Sequence, residues 1–411
     1  MKKEIYYGYK IVGACFIIQG ICYGATFTYG LFFSEFQSEF GWSRAMISGA
    51  SSLSFLIGGV LGIPAGRVND KIGPRALTVG TSLVFGLGYF LLSWLQSPWQ
   101  LFLLYGLFVA VGFGSFDVIT LSTVARWFVR RRGIMSGIIK VGTGSGQFVL
   151  PFFAAALISS YGWRHAYFIL GILFMVLLVA VAQVMRRSPS ELGLRPDNER
   201  SDPSPDGSNS RDSGLHLKSV IRMRQFWAIN LVEFTSLFCL LTIVVHIVPH
   251  AIDLGLPTKT AAGIISVIGG VSMLGRFVMG AAHDRIAGRR SLLICFFVLF
   301  CSLMWLQIAR EAWMLFTFAF IYGFAHGGLF TVVSPTVAEL FGTRSHGVLY
   351  GIILFSGNCA GAIGPILAGH IFDVTGSYRY AFLMLSVISI IGLVLVTQLG
   401  STIRKGAKRI P

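Results

Sequence analysis

Gly66-Arg67-Val68-Asn69-Asp70-Lys71-Ile72-Gly73-Pro74-Arg75 decides the fold, because the chain carries the pattern twice. Gly280-Ala281-Ala282-His283-Asp284-Arg285-Ile286-Ala287-Gly288-Arg289 repeats it, with one extra residue before its Arg pair. The two aspartates lie 214 residues apart, and Gly133, Gly137 and Pro151 match Gly347, Gly351 and Pro365 at the same offset of 214. One offset held across two separated motifs indicates an internal duplication.

Working outward from these motifs, the 411 residues are 54% hydrophobic and 12% charged, against about 25% charged in a soluble domain. Apolar runs near residues 11–34, 45–66, 76–96, 101–125, 133–157, 164–185, 227–249, 260–282, 290–309, 312–338, 347–371 and 379–400 each approach the ~20 residues that cross a bilayer. Twelve runs make six per repeat. The chain therefore reads as an all-α membrane protein with two pseudo-symmetric six-helix bundles, 1–186 and 227–411. They are joined by a cytoplasmic linker, 187–226, rich in Ser, Pro, Asp and Gly and expected to be flexible. Parallel repeats of this kind are a transporter architecture, with a binding site near the membrane midplane between the repeats.

The net charge of +16 is distributed, not clustered for nucleic acid. With the N-terminus inside, 26 of the 33 Lys and Arg fall in cytoplasmic segments. Five (Arg44, Arg164, Lys259, Arg310, Arg379) fall outside, and two (Lys140, Arg276) lie within spans. That asymmetry orients the chain with both termini cytoplasmic. The six cysteines are scattered without a CxxC, so neither a metal site nor a cofactor is expected. No ATP-binding loop, H-E-x-x-H or cofactor fingerprint is present, which argues against an enzyme and for transport driven by ion or substrate gradients. Short loops favour a working monomer, and their compactness favours a bacterial inner membrane.

The duplicated G-x-x-x-D-[KR]-x-G-x-R loop resembles the signature of the major facilitator superfamily. Within it, Arg126-Trp127-Phe128-Val129-Arg130-Arg131-Arg132-Gly133 and the small-residue helix that follows resemble the fifth-helix signature of monocarboxylate transporters. They are at least as similar to the bacterial oxalate/formate antiporters. The first hairpin, from Tyr29-Gly30-Leu31-Phe32 to Trp42-Ser43-Arg44, and Ser188-Pro189-Ser190-Glu191-Leu192-Gly193-Leu194 resemble both. The resemblance implies alternating access and a carboxylate substrate held by the eighth-helix Arg, here Arg276. Departures are informative. The acidic residue, Lys and Asp that animal members carry fall at Tyr7-Gly8-Tyr9, Ser34 and Ser272. No Lys occupies 347–371, where an oxalate carrier would place one, so a monoanion is favoured over a dianion.

Ionisable residues within spans are functional suspects by default. Arg276 lies eight residues from Asp284, about 12 Å deep at helical rise, and its planar fork suits a carboxylate. Asp117, nine residues from Arg126, sits at similar depth and is a proton-coupling candidate, as is His326. Asp117 is expected to sense the occupancy of Arg276. Lys140 is expected to snorkel towards the cytoplasm. Phe27, Thr28, Thr143, Phe330, Phe355 and Asn358 are candidate cavity walls for the apolar end of a small organic acid. Asp70, Arg75, Asp284 and Arg289 are candidate gating residues, since a carboxylate at a helix end can hold a neighbouring helix N-terminus. Arg130, Arg131 and Arg132 read as a solvated cluster. Glu233 reads as structural, and His246 and His250 lie towards the outer end of their helix.

The expected function is secondary active transport of small monocarboxylates of the lactate or pyruvate kind, with a proton as co-substrate. Organic-anion exchange is the alternative, and a non-transporting membrane receptor the alternative of another class.

Overall fold

The computed structural model describes residues 6–198 and 215–400. Residues 199–214 of the serine- and aspartate-rich linker lie outside the described residues. Regular structure among the described residues is helical. Among the described residues, ten helices are long and apolar enough to cross a membrane. Two of them, Arg132–Ala182 and Thr258–Ile308, run 51 residues each. At helical rise each is about 76 Å long, more than twice the ~30 Å hydrocarbon core. Each breaks once inside, at Gly162 (φ 77°, ψ 162°) and at Ala287 (φ 68°, ψ 163°). Each therefore holds two spans, and the ten helices carry the twelve spans of the sequence reading. Spans 1 to 4 are Tyr7–Phe40, Arg44–Ile72, Pro74–Leu92 and Pro98–Trp127. Spans 5 and 6 are 132–161 and 163–182. Span 7 is Arg224–Asp253, and spans 8 and 9 are 258–286 and 288–308. Spans 10 to 12 are Ala312–Phe341, His346–Thr375 and Tyr378–Thr397.

The duplication extends to the turns. Positive-φ glycines recur at the same 214 offset: Gly41 with Gly255, and Gly162 with Gly376. Gly73 (φ 88°, ψ 167°) has Ala287 as its counterpart, in nearly the same conformation. The second signature copy therefore contains no extra residue. Ala287 occupies the glycine position and Gly288 stands where Pro74 stands. A side chain at that φ and ψ costs about 1–3 kcal/mol, and the exposed Ala287 carries that strain without burial of its methyl group.

The chain forms two compact units. Unit 1 comprises Met1–Arg130, Ile139–Asp212 and Ser345–Gly351; unit 2 comprises Arg131–Ile138, Ser213–Arg344 and Ile352–Pro411. The first turns of spans 5 and 11 are thus grouped with the unit opposite to the rest of their helices. Helix amphipathicity here separates packing from lipid. In span 12, Val387, Ile390, Ile391 and Val394 form an exposed apolar stripe. Leu385, Ser386, Ser389, Gly392 and Val396 on the other face are buried. An exposed face of branched apolar residues beside a buried face of small and polar ones suits a bilayer.

Candidate functional site

In unit 1 four spans contribute to one buried polar cluster. Asp117 of span 4 forms an ion pair with Lys140 of span 5, and both side chains are at most 5% exposed. Gln19 of span 1 donates through Nε2 to Asp117 Oδ1 and to Thr120 Oγ1, at 2.7 Å each. Its Oε1 accepts from Thr143 Oγ1 at 3.1 Å. Tyr350, in the span 11 turn that belongs to this unit, donates to Asp117 Oδ2 at 3.3 Å. Lys140 Nζ lies 5.5 Å from the centroid of the Tyr23 ring. Asp117 is thus satisfied by one cation and two neutral donors, the condition under which a buried charge is tolerated. Lys140 does not snorkel: its side chain is 3% exposed and its ammonium is held inward by Asp117. The partner of Asp117 is therefore Lys140, where an interplay with Arg276 was expected.

Unit 2 holds Arg276, 4% exposed, at the crossing of spans 8 and 10. The helices touch there by backbone. A Cβ on Gly327 would stand 1.9 Å from Ser272 O and 2.8 Å from Arg276 N. Only glycine allows that approach. The guanidinium Cζ sits 6.0 Å from the Phe330 ring centroid, within reach of a cation–π contact. His326 lies between Phe330 and Tyr322, its ring 4.9 Å and 5.8 Å from theirs. Tyr322 is fixed by its hydroxyl donating to Leu240 O at 2.7 Å. The structure thus brings together Arg276, Phe330 and His326, and separately Asp117 and Thr143.

Phe27 is exposed, and Thr28 is fully buried with its hydroxyl donating to Ala25 O at 2.7 Å. Phe355 and Asn358 are half-buried in unit 2.

The signature aspartates make matching contacts. In unit 1, Asp70 accepts from the backbone N–H of Gly347 and Val348, both at 3.3 Å. In unit 2, Asp284 accepts from Gly133 N at 2.6 Å and Ile134 N at 2.9 Å. Donors and acceptors alike obey the 214 offset. Each carboxylate caps a helix start, where orphan N–H groups and the helix dipole favour negative charge. The cation on Asp70 is Arg126, whereas Arg75 reaches across to Gln183 Oε1 at 2.5 and 3.1 Å. Arg289 is exposed. Asp284 instead has buried His283 beside it. The ring nitrogens of His283 lie 3.8 Å from Asp284 Oδ1 and 3.6 Å from Glu339 Oε2.

Sequence reasoning missed Gln19, Tyr350, Arg126 and His283 as partners. Only the 14-residue spacing of Lys140 from Arg126, one loop and two and a half turns on, hinted that Lys140 and Asp117 share a depth.

The family model described as Major Facilitator Superfamily matches residues 15–309 and 275–409. The chain belongs to the major facilitator superfamily. Among curated proteins it is similar to monocarboxylate transporter 13 of Rattus norvegicus, with 27% identity over 92% of this chain and 85% of that one. It is similar also to human monocarboxylate transporter 2, with 25% identity over 92% and 82%. Among solved structures it is similar to the E. coli fucose:proton symporter FucP, with a TM-score of 0.73 and 16% identity over 96% of this chain and 100% of that one. The proton:xylose symporter XylE superposes with a TM-score of 0.69 at 13% identity, over 96% of both chains. The structural likenesses bear on the fold alone. The family and the relatives establish a multi-pass membrane transport protein for a small molecule, not an enzyme.

Proposed function

We propose that this superfamily member is a secondary active carrier of small monocarboxylates such as lactate or pyruvate, moved together with a proton by alternating access. The observation that carries the reading is Arg276, a permanently charged fork buried at a glycine-enforced helix crossing beside an aromatic ring. A carboxylate bound there gains charge-assisted, two-pronged hydrogen bonds in a low-dielectric site. Phe330 supplies an apolar surface for the short alkyl end, and Phe355 and Asn358 remain candidates for the same role. The names of the curated relatives support the substrate class.

Asp117 is the coupling carboxylate in this reading. A proton on Asp117 cancels its attraction for Lys140 and leaves Gln19 and Tyr350 as its neutral partners; loss of the proton restores the pair. His326, its ring tilted against the Phe330 that faces Arg276, is the second proton candidate. Asp70 and Asp284 act as latches on two helix starts, with Arg126 steadying the first; Arg75 and Arg289 are then accessory. The lysine and arginine distribution supports cytoplasmic termini, and the short loops support a monomer in a bacterial inner membrane.

The test is uptake of labelled L-lactate into proteoliposomes, with and without an inward proton gradient, beside an Arg276→Gln control. Gradient-driven accumulation that the control loses supports symport. Uptake only into vesicles preloaded with formate or another organic acid replaces symport by exchange, the reading that a further buried cation within a span, Lys140, would favour. Uptake that Arg276→Gln leaves intact refutes the assignment of the substrate carboxylate to Arg276.

A further inference from the structure

Away from Arg276, unit 2 contains a cavity of about 160 Å³ at the end where spans 7–8, 9–10 and 11–12 turn. That is the end the charge asymmetry assigns to the outside. At about 30 Å³ of liquid volume per water it holds roughly five water-sized positions, enough for a small organic acid. We propose that this cavity is a second anion site, for a small carboxylate, independent of the role assigned to Arg276.

Four observations converge. First, Arg310 and Arg379 both line the cavity. Outer segments carry only five cations, so two meeting at one cavity is a concentrated charge. Arg164, another of the five, is engaged by Glu39 and by the carbonyls of Ser93 and Leu95. No ion pair or side-chain hydrogen bond among the described residues occupies Arg310 or Arg379. Second, His250 lines the cavity, is 8% exposed, and its Nε2 has no hydrogen-bond partner among the described residues. Its ring is set edge-on to Phe382 at 4.9 Å and to Tyr378 at 5.7 Å. Third, Gln307 lines the cavity with both its amide nitrogen and its amide oxygen buried and unpartnered among the described residues. Leaving such groups unpaired is costly, so a polar occupant is favoured. Fourth, Leu306 and Phe372 give the cavity an apolar wall, which a carboxylate with a short carbon chain uses and a bare inorganic ion does not.

Asp253 also lines the cavity and makes no ion pair among the described residues. Two guanidinium groups against one carboxylate leave the lining positive, which selects a monoanion. His246, on the same helix, has a different task. Its ring nitrogens lie 3.1 Å from Tyr378 Oη and 2.9 Å from Pro365 O, which orients the tyrosine that walls the cavity.

The experiment uses the purified full-length protein in detergent and saturation-transfer difference NMR with L-lactate as probe. The background is Arg276→Gln, so that the first site is disabled. A lactate methyl signal that persists in Arg276→Gln and drops at least fivefold when Arg310→Gln and Arg379→Gln are added supports the proposal. The unfolding midpoint, measured on each variant, keeps folding failure apart from binding loss. An equal signal with and without the two extra substitutions overturns it, as does absence of signal in folded Arg276→Gln. Displacement of lactate by an equal concentration of chloride overturns the carboxylate class in favour of inorganic anions. Should Arg276→Gln not fold, the same comparison in the wild-type chain reads a fall from two lactate sites to one. Proteoliposome uptake by Arg276→Gln is scored separately, so failure of the transport reading and failure of this site are told apart.

Discussion

Replacing Asp117 by Asn removes the carboxylate that pairs with Lys140, while keeping the volume and two of the polar contacts. Both side chains are at most 5% exposed, so solvent does not screen the change. Breaking a buried ion pair by deleting one partner costs about 3–5 kcal/mol, because an uncompensated charge is left behind. Lys140→Met is expected to cost less, about 1–3 kcal/mol. It leaves Asp117 with Gln19 at 2.7 Å and Tyr350 at 3.3 Å and keeps the apolar stem of residue 140. The double variant is expected to be more stable than Asp117→Asn alone, since no naked charge survives in it. Equilibrium unfolding by denaturant in mild detergent measures all four corners of the cycle. Single costs that simply add, within about 0.5 kcal/mol, would refute the claim that the two residues act as a pair. In proteoliposomes, Asp117→Asn is expected to abolish the dependence of lactate uptake on the proton gradient. Unchanged dependence would move the coupling role to His326.

Further expectations follow from single contacts. Ala287→Gly relieves an alanine held at φ 68° and is expected to stabilise unit 2 by about 1 kcal/mol in the same unfolding assay; destabilisation would mean that the methyl group packs usefully. Gly327→Ala places a methyl 1.9 Å from Ser272 O, must part spans 8 and 10, and is expected to cost about 1–3 kcal/mol and most of the uptake. Asp284→Asn removes the charge from two helix-cap hydrogen bonds. Its expected cost is about 1–3 kcal/mol, with faster thiol labelling of a cysteine placed at position 134 as the readout. Labelling at the wild-type rate would deny Asp284 a latching role.

Much of this architecture was legible in the chain. Twelve spans follow from apolar run lengths, because a bilayer sets one length for every helix. The repeat follows from a single offset that also governs Gly41 with Gly255 and Gly162 with Gly376. The burial of Arg276 follows from counting turns inwards from Asp284. Counting turns gives depth but not direction around the helix axis. For that reason Asp117 was expected to answer to Arg276, and Lys140 to reach the membrane surface, when packing turns each towards the other. Gln19 and Tyr350 carry no charge, so nothing in a hydropathy reading distinguishes them from any polar residue on an inner face. Ala287 misled in another way: a residue other than glycine at a turn reads as a shifted motif, until the backbone angles give the register.

The matched caps have a consequence for ancestry. If a single six-span ancestor paired with its own copy, one aspartate on one gene would have made both contacts, as an isologous two-fold interface requires. Any substitution there altered both sides together. Fusion of two copies removed that constraint, and the present chain records what followed. At the offset of 214, Arg126 faces a counterpart Leu340, and Asn69 a counterpart His283. One latch became a salt bridge and the other a histidine between two carboxylates. A carrier with two unlike latches can respond to different conditions at each, a freedom no symmetric dimer has.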